Sequence, residues 1–368
     1  MQHFSQQISF SKPAIDCLEI SLFGPGTGEC LVIHFGGGDW FIVDSCIDPQ
    51  TKNPVAVDYL EAIGVSLDQV KGILITHWHS DHTAGVARLF KSCKNANLYI
   101  PNALKSEQAL QLLMLYQKNK FSSVYKPLKE YSEIINFLME NNAKSRLRVV
   151  GANYIFFDNK DLGARLIALS PSASAINQSI SALTQLMPIP NSDRLPLVLP
   201  SGPNLNAVAL HLSFDGMSAL LGSDLEWSEN SEVGWHAVLN DQIYSQLQLS
   251  KATIFKVPHH GSDTGHHEKI WKDLLSDKPT SLTTPFFRSS LPRPTDVERI
   301  TTLSSVFALA KSKSAQKVPK RDKIVEAAIK SSAKQIIPID SFVGHIQLRA
   351  LAGEVHIAVN DHPVLFSS

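Results

Sequence analysis

The chain has 368 residues, 43% of them hydrophobic, which is enough for one large α/β domain or two smaller ones. Basic and acidic residues number 34 each, so the net charge is zero and does not indicate binding to nucleic acid. A local basic patch is still compatible with this composition. The N-terminus lacks the order of a secretory signal, and no apolar stretch is long enough to cross a bilayer. The lack of such a stretch predicts no membrane partner. The four cysteines form no CxxC pair, which favours reduced thiols in a cytoplasmic protein.

The N-terminal part of the chain predicts strands followed by a helix-and-strand alternation. Three strands joined by glycine-rich turns, "CLEISLF", "CLVIHF" and "WFIVDS", indicate an antiparallel meander. A helix, "VAVDYLEAIGV", and a buried strand, "VKGILIT", come next. The strand leads into the loop "HWHSDH", which a helix, "TAGVARLFKSC", and another strand, "NANLYIP", follow.

The middle of the chain predicts a helical insertion at about 102–148, with apolar positions spaced as in a helical hairpin packed over the core. Strands are predicted at "LRVVG", "NYIFFD" and "ARLIALSP". The polar, proline-containing stretch 172–203 is predicted to be an irregular loop.

The C-terminal part begins with a predicted hairpin, "AVALHLSFDGMSALLGSD", that turns at Asp215-Gly216. A helix, "WHAVLNDQIYSQL", and two strands, "KATIFKVP" and "PTSLTTPFF", follow. The lysine-rich segment 311–334 predicts a solvated helix face, with a nucleic-acid contact as the alternative. The run "GHIQLRALAGEVHIAV" predicts a terminal hairpin.

The loop "HWHSDH" concentrates three histidines and one aspartate directly after a buried strand. His77 and His79 are two residues apart on an extended loop, so both side chains can point the same way. Asp81 and His82 follow on the turn into the helix. Imidazoles and carboxylates are ligands for zinc and similar divalent ions, and these four residues could hold two ions.

The spacing HxHxDH after a strand resembles the signature of the metallo-β-lactamase superfamily. The resemblance implies an α/β fold: a four-layer αββα sandwich with its metals at one edge, between two sheets. The chain is then expected to form a single domain over 1–368. Its two additions would be the helical insertion at about 102–148 and a C-terminal extension at about 302–368.

Other motifs of the superfamily occur in the expected order. Asp44 closes an early strand and is expected to support the site, and Asp224 in "ALLGSD" is expected to bridge two ions. The motif "KVPHHGS" offers His259 or His260 as the late ligand, and His259 is favoured because it comes directly off the strand.

The third histidine of many members has no clear counterpart, since His211 and His236 are interpreted as structural. The first metal site is therefore expected to be held by His77, His79 and Asp224 with water. The stretch around "HHGS" looks similar to the hydrolase domain of bacterial DNA-internalisation competence proteins, with Asn204 matching that branch and Ala207 replacing its serine. The membrane portion of those proteins is absent, so DNA import is not carried over.

The resemblance implies a hydrolase with two divalent ions, for which zinc is favoured and manganese is the alternative. Phosphodiesters are the favoured substrates, so nucleic acid or a nucleotide is the expected partner. The predicted site residues are catalytic carboxylates (Asp81, Asp224 and Asp44), metal ligands (His77, His79, Asp81, His82, Asp224, His259 and His260) and substrate contacts (Trp78, Ser262, Arg288 and Arg293). The alternatives are a lactone or thioester hydrolase, and a structural or regulatory subunit of a larger, defence-related complex with a protein partner.

Overall fold

Two β-sheets flanked by helices make up the fold in the computed structural model, which describes residues 2–5, 7–105, 126–185, 203–241, 243–310, 343–360 and 364–367. The strands are β1 Gln2–Ser5, β2 Leu18–Gly24, β3 Cys30–Phe35, β4 Trp40–Val43, β5 Val70–Leu74, β6 Asn97–Pro101, β7 Leu147–Val150, β8 Ile155–Asn159, β9 Ala164–Ala168, β10 Leu210–Phe214, β11 Met217–Leu221, β12 Ala252–Lys256, β13 Leu275–Thr283, β14 Val306–Leu309, β15 Gly344–Leu351, β16 Glu354–Val359 and β17 Val364–Ser367.

The helices lie between these strands. The α-helices are α1 Val55–Ala62, α2 Ser80–Thr83, α3 Val86–Ser92, α4 Lys126–Glu140, α5 Ala173–Gln185, α6 Gly234–Asn240, α7 Ile243–Gln246 and α8 Pro294–Leu303. Short 3-10 turns lie at Leu67–Gln69, Asn102–Lys105, Lys144–Arg146, Pro203–Asn206, His259–Gly261, Asp263–Gly265 and Phe287–Ser289, and a π turn lies at Ile270–Leu274. No helix in these described ranges combines the length and the apolar character needed to span a membrane.

The strand order is β1-β16-β15-β2-β3-β4-β5-β6-β7 in the first sheet and β17-β14-β13-β12-β11-β10-β9-β8 in the second. Strands β4 to β7 are parallel to one another, and so are β11 to β14. Loops that follow the parallel strands of one sheet therefore gather at one edge of that sheet. These are the loops that carry the predicted ligands.

Alternating side chains divide the core into three layers. On β2 and β3, Leu22 and Ile33 face the second sheet and pack with its Leu210 and Leu221, whereas Val32 and its neighbours face the helices α1 and α3. The outer face of the second sheet packs against α6 and α8 in the same way. The order helices, sheet, sheet, helices confirms the predicted four-layer sandwich.

The predicted meander β2-β3-β4, the hairpin at Asp215-Gly216 and the terminal hairpin β15-β16 are all present. The prediction of an irregular loop over 172–203 was wrong for Ala173–Gln185, which forms α5. The predicted insertion contributes α4 and β7, while the helix predicted around 110–117 lies outside the described residues. The lysine-rich segment 311–334 also lies outside the described residues. The single-domain organisation stays a prediction.

Candidate metal centre

Loops from both sheets bring the histidines and aspartates of the motifs together. Asp44 follows β4 and residues 77–82 follow β5 in the first sheet. Asp224 follows β11 and His260 follows β12 in the second sheet. All four strand ends belong to parallel strands, which explains why segments so distant in sequence meet at one edge of the sandwich.

Four buried side chains form the centre of this cluster. Asp81, His82, Asp224 and His260 each present one ligand atom, and these atoms all lie within 4.8 Å of one another. His260 Nε2 lies 3.5 Å from Asp81 Oδ2 and 3.7 Å from Asp224 Oδ2, and His82 Nε2 lies 3.3 Å from Asp224 Oδ2. Two imidazoles and two carboxylates form a donor set that suits zinc.

Of the two histidines in "HHGS", the structure places His260 in the cluster, although His259 was favoured from the sequence. His259 Nδ1 lies 3.0 Å from Glu226 Oε1, and its Nε2 lies 3.4 Å from Asn204 Nδ2. Both histidines adopt left-handed backbone angles, with φ of 48° and 51°. Two such residues in succession turn the chain back toward the site, so the second imidazole, not the first, enters the cluster.

A second group of donors stands beside the cluster. His77 Nε2 lies 3.1 Å from His79 Nδ1 and 4.0 Å from Asp224 Oδ2. His77 is buried, whereas His79 is half-buried and so faces the accessible side. Asp224 thus lies between the two groups. The two histidines interpreted as structural make other contacts: His211 Nε2 bonds the Ser250 carbonyl, and His236 stacks on Trp227.

Hydrogen bonds on the far side of the rings orient two of the imidazoles. His82 Nδ1 lies 2.7 Å from Asp44 Oδ2, which directs Nε2 into the cluster. The Thr76 hydroxyl donates to Asp44 Oδ2 at 2.8 Å, so its oxygen can accept from His77 Nδ1 at 3.1 Å. His77 Nε2 is thereby left facing His79 and Asp224. Asp44 thus contacts both His82 and Thr76, and its supporting role, which the resemblance implies, stays a prediction.

The charges within the cluster shift its pKa values strongly. Burial lowers the pKa of His77, and the neighbouring His82 and His79 lower it further. Burial also opposes the charged form of His82, but Asp224, Asp44 and Asp81 outweigh it and hold the pKa well above its usual value. The pKa of Asp224 is well below its usual value because His82 and His260 outweigh the effect of burial. The carboxylates therefore attract positive charge, which a divalent cation would supply.

Unsatisfied polar atoms test whether the residues fit a metal ion. His82 Nε2, His260 Nε2 and Asp224 Oδ1 are buried and make no hydrogen bond in the described structure. Buried polar atoms without partners are costly, and three of them belong to residues of one cluster. Coordination of a divalent ion would satisfy the two imidazole nitrogens, which face the neighbouring carboxylates. The residues present thus fit the group that the sequence predicts.

Two of the predicted substrate contacts are buried. Trp78 is only 9% exposed and contacts Tyr131 of α4 at a ring centroid distance of 4.8 Å, so little of it is open to a substrate. The Ser262 hydroxyl is buried and accepts a hydrogen bond from the Thr264 N–H in the turn after "HHG". Burial does not favour these two substrate contacts, which stay predictions.

The two predicted arginine contacts lie on the loop after β13. Arg288 is exposed in a turn in which Phe287 N–H donates to the Gly26 carbonyl. The preceding Phe286 stacks on His260 at a centroid distance of 5.0 Å, so this loop borders the cluster. Arg293 is exposed and lies 3.4 Å from Asp263 Oδ1, so its charge is partly paired.

Sequence reasoning missed several residues that support the cluster. Glu29 and Lys256 form a fully buried ion pair, and Thr284 connects this pair to His260. Glu130 of α4 accepts hydrogen bonds from the N–H groups of Gly85 and Ala87, just after the loop "HWHSDH". One signal was available, because a lysine within the apolar run "ATIFKVP" indicates a buried partner of opposite charge.

The metallo-β-lactamase superfamily model matches residues 23–137. Similar solved structures include the metallo-β-lactamase fold protein YhfI from Bacillus subtilis, with 10% identity over 80% of this chain and 97% of that chain and a TM-score of 0.40. The hydrolase AbOPH of the β-lactamase superfamily is 16% identical over 59% of this chain and 75% of that one, with a TM-score of 0.33. The metallo-β-lactamase SMB-1 bound to 2-mercaptoethanesulfonate is 12% identical over 72% and 88%, with a TM-score of 0.34.

These structural similarities have TM-scores below 0.5 and carry no argument about function. No curated protein matches the chain. The match to the family model includes the strands β3 to β6 and the whole loop "HWHSDH" between β5 and α3. This match shows that residues 23–137 resemble the metallo-β-lactamase superfamily.

Proposed function

We propose that this protein is a hydrolase that uses two divalent metal ions to cleave phosphodiesters in nucleic acid or nucleotides. One observation carries the metal-dependent part: the ligand atoms of Asp81, His82, Asp224 and His260 converge within 4.8 Å, and three atoms of these residues are buried without hydrogen bonds. The family-model match supports hydrolase chemistry at this position of the chain.

The chain's own residues divide between two sites. His77 and His79 would hold the first ion, while Asp81, His82 and His260 would hold the second, with Asp224 between them. Zinc suits this mixture of nitrogen and oxygen donors, and manganese is the alternative. Divalent ions bound there lower the pKa of water toward about 7 and stabilise negative charge on the electrophile.

The phosphodiester preference rests on the loop after β13. Phe286 of this loop stacks on His260, and the exposed Arg288 follows two residues later. A guanidinium can bind a phosphate through two hydrogen bonds, which is the contact that an anionic substrate needs beside the metals. The similarity around "HHGS" to the hydrolase domain of competence proteins favours the same substrate class.

Metal content and hydrolysis test the proposal together. Elemental analysis of the purified protein is expected to give two ions per chain. With Zn²⁺ or Mn²⁺, the protein should hydrolyse bis(p-nitrophenyl) phosphate and single- or double-stranded DNA. The double variant Asp81→Ala, His82→Ala should lose activity by about 10³-fold or more, because it removes two candidate metal ligands.

The matched control is the double variant Asp161→Ala, His356→Ala, which removes the same residue types from exposed positions. It is expected to keep wild-type metal content and rate. Bound metal without cleavage of any phosphodiester would refute the substrate class and leave metal-dependent chemistry standing. Absence of bound metal would refute both.

The pairing of Arg293 with Asp263 favours a second candidate, a hydrolase of neutral lactones or thioesters, because it leaves less free positive charge beside the cluster. The double variant Arg288→Gln, Arg293→Gln separates the two. A phosphodiesterase should show a raised KM for its anionic substrate, whereas hydrolysis of a neutral ester should be unchanged. If the wild type binds metal and cleaves none of these substrates, a structural or regulatory subunit becomes the better proposal.

A further inference from the structure

Glu29 is a fully buried carboxylate that lies behind the candidate metal centre. Its Oε1 lies 2.5 Å from Lys256 Nζ, and both side chains are 0% exposed. A buried charge is costly without a partner, so each of these residues needs the other. Glu29 Oε2 also lies 3.8 Å from His260 Nδ1, whereas His260 Nε2 faces Asp81 and Asp224.

The first connection runs from Glu29 to His260 through Thr284. The Thr284 hydroxyl donates its only proton to Glu29 Oε2 at 2.6 Å. Its oxygen can then only accept from His260 Nδ1, which lies 2.8 Å away. Because Nδ1 is the donor, Nε2 is the ring nitrogen available to a metal, and it faces Asp81 and Asp224.

The second connection runs through Lys256 to the loop of Asp224. Lys256 Nζ donates to the Ser223 carbonyl at 2.9 Å. Ser223 precedes Asp224 and has a left-handed φ of 47°, a conformation that non-glycine residues adopt at a cost. The same carbonyl accepts a hydrogen bond from the His259 N–H at 2.9 Å, so this one oxygen joins the two loops of the second sheet.

The third connection uses the backbone of Glu29. Its N–H donates to the Asp81 carbonyl at 2.9 Å, which attaches the start of β3 to the metal loop. Gly28 permits this close approach, because a Cβ atom there would lie 2.7 Å from the same carbonyl oxygen. Glu29 therefore contacts, directly or through one side chain, the loops of Asp81, Asp224 and His260.

We propose that Glu29 is the positioning residue of the second metal site and that it acts on His260 through Thr284 and on Asp224 through Lys256. This inference rests on the proposed function. Glu29, Asp44 and His82 also present ligand atoms within 4.8 Å of one another, but both oxygens of Glu29 are engaged by Lys256 and Thr284. Its role is to hold ligands, and it is not itself a ligand.

Isosteric variants of Thr284 test the connection without breaking the buried ion pair. Thr284→Val removes the hydroxyl, and Thr284→Ser retains it. Thr283→Val is the matched control, since the hydroxyl of this preceding residue is buried without a hydrogen-bond partner in the described structure. Glu29→Gln keeps the backbone N–H and the side-chain volume but removes the charge.

The readout is metal affinity at each site, measured by competition with a chromophoric chelator, together with melting temperature to confirm folding. Thr284→Val is expected to weaken the second site about 10- to 100-fold, as losses of outer contacts to ligating histidines do, and to leave the first site within a few-fold. Thr284→Ser and Thr283→Val should bind as the wild type does. Glu29→Gln should weaken the second site at least as much as Thr284→Val.

Distinct results would overturn the inference. Wild-type affinity at both sites in Thr284→Val would show that the connection does not position His260. Loss of one ion in Glu29→Gln with no change in Thr284→Val would overturn the route through Thr284 and leave only the route through Lys256. A wild type that binds no metal would instead refute the proposed function and this inference with it, whereas the first two results leave the proposed function intact.

Discussion

Asp44 and His82 are 38 residues apart in the chain, yet Asp44 Oδ2 lies 2.7 Å from His82 Nδ1. Asp44 also accepts hydrogen bonds from the N–H and the hydroxyl of Thr76, at the start of the metal loop. Its own φ of 62° aims the side chain from the end of β4 toward that loop. One carboxylate thus fixes both the loop and the ring of a candidate ligand.

Replacement of Asp44 should therefore weaken metal binding without removing a ligand. In Asp44→Asn the amide group can no longer accept through both of its ends, so His82 and Thr76 compete for one oxygen. We expect metal affinity to fall about 10- to 100-fold in chelator competition. Asp39→Asn, which alters an exposed pair with Lys71, is the control and should bind metal normally. Unchanged affinity in Asp44→Asn would contradict the supporting role.

The two histidines of "HHGS" should differ in a metal count. We expect His260→Ala to bind one ion fewer than the wild type, because its Nε2 faces Asp81 and Asp224. His259→Ala should retain both ions, because His259 is bonded to Glu226 and Asn204. Elemental analysis of the two variants decides. The opposite result would restore His259 as the ligand.

Metal removal should lower stability. An ion that binds only the folded state contributes about 2.7 kcal/mol at a free concentration 100 times its Kd. Without it, the buried carboxylates of Asp81 and Asp224 repel each other, and the unsatisfied atoms of the cluster remain. Differential scanning calorimetry with and without chelator should show a lower Tm that added Zn²⁺ restores. The double variant Asp81→Ala, His82→Ala should show a smaller response, because it lacks two ligands of the second site.

A buried histidine far from the metal loop should make stability fall in mild acid. Burial, assisted by Arg349, lowers the pKa of His345 from 6.5 to about 3. Below pH 6.5, His345 takes up a proton in the unfolded chain, whereas in the folded chain it stays neutral down to about pH 3. Stability is thus unaffected by this group above pH 6.5 and falls as the pH drops, by about 2 kcal/mol at pH 5.

Urea denaturation at pH 7 and pH 5 measures this effect in the wild type and in His345→Phe. The phenyl ring can keep the stacking on Phe23, whose centroid lies 4.1 Å from that of His345, but it cannot titrate. The loss of stability between the two pH values should be about 2 kcal/mol smaller in the variant. An equal loss in both proteins would rule out His345 as the source. His356→Phe, at an exposed position, should behave as the wild type does.

Glu130 connects helix α4 to helix α3, which follows the loop "HWHSDH". Its two oxygens accept hydrogen bonds from the N–H groups of Gly85 and Ala87 at 3.1 and 3.0 Å. We expect Glu130→Ala to lower the free energy of unfolding by about 1–3 kcal/mol, since two N–H groups lose their acceptor. Glu133→Ala, which removes an exposed carboxylate from the same helix, should stay within about 0.5 kcal/mol. Urea denaturation of both variants checks the difference.

Sequence patterns predicted individual strands and hairpins of this fold because hydrophobic alternation and turn residues act locally, whereas the four layers were implied by the resemblance to a known family. The hairpin at Asp215-Gly216 is an example, since both residues have positive φ and the flanking strands alternate. Helix α5, Ala173–Gln185, was missed because serine and asparagine favour turns and caps in isolation. Its helical state depends on packing that the sequence of the segment does not reveal.

The candidate site was predictable in part from the residues and in part from the resemblance. His77 to His82 stand out as a cluster of ligand types after an apolar strand, whereas Asp44, Asp224 and the position of the site at one edge were implied by the resemblance to the superfamily. The choice between His259 and His260 was not predictable, because two successive left-handed residues reverse the expected direction of the side chain. Glu29 was missed because its contacts with Lys256 and Thr284 depend on tertiary structure alone.

The cluster draws its side chains from both halves of the sandwich, with Asp81 and His82 on the first sheet and Asp224 and His260 on the second. An ion held there acts as a removable cross-link between two sheets. Removal of the ion should increase local opening at the strand ends around the cluster, while the core between the sheets stays protected. In hydrogen exchange, the amide of Ser45, which is bonded to the His82 carbonyl, should then exchange faster, while the amide of Leu212 on β10 should stay protected.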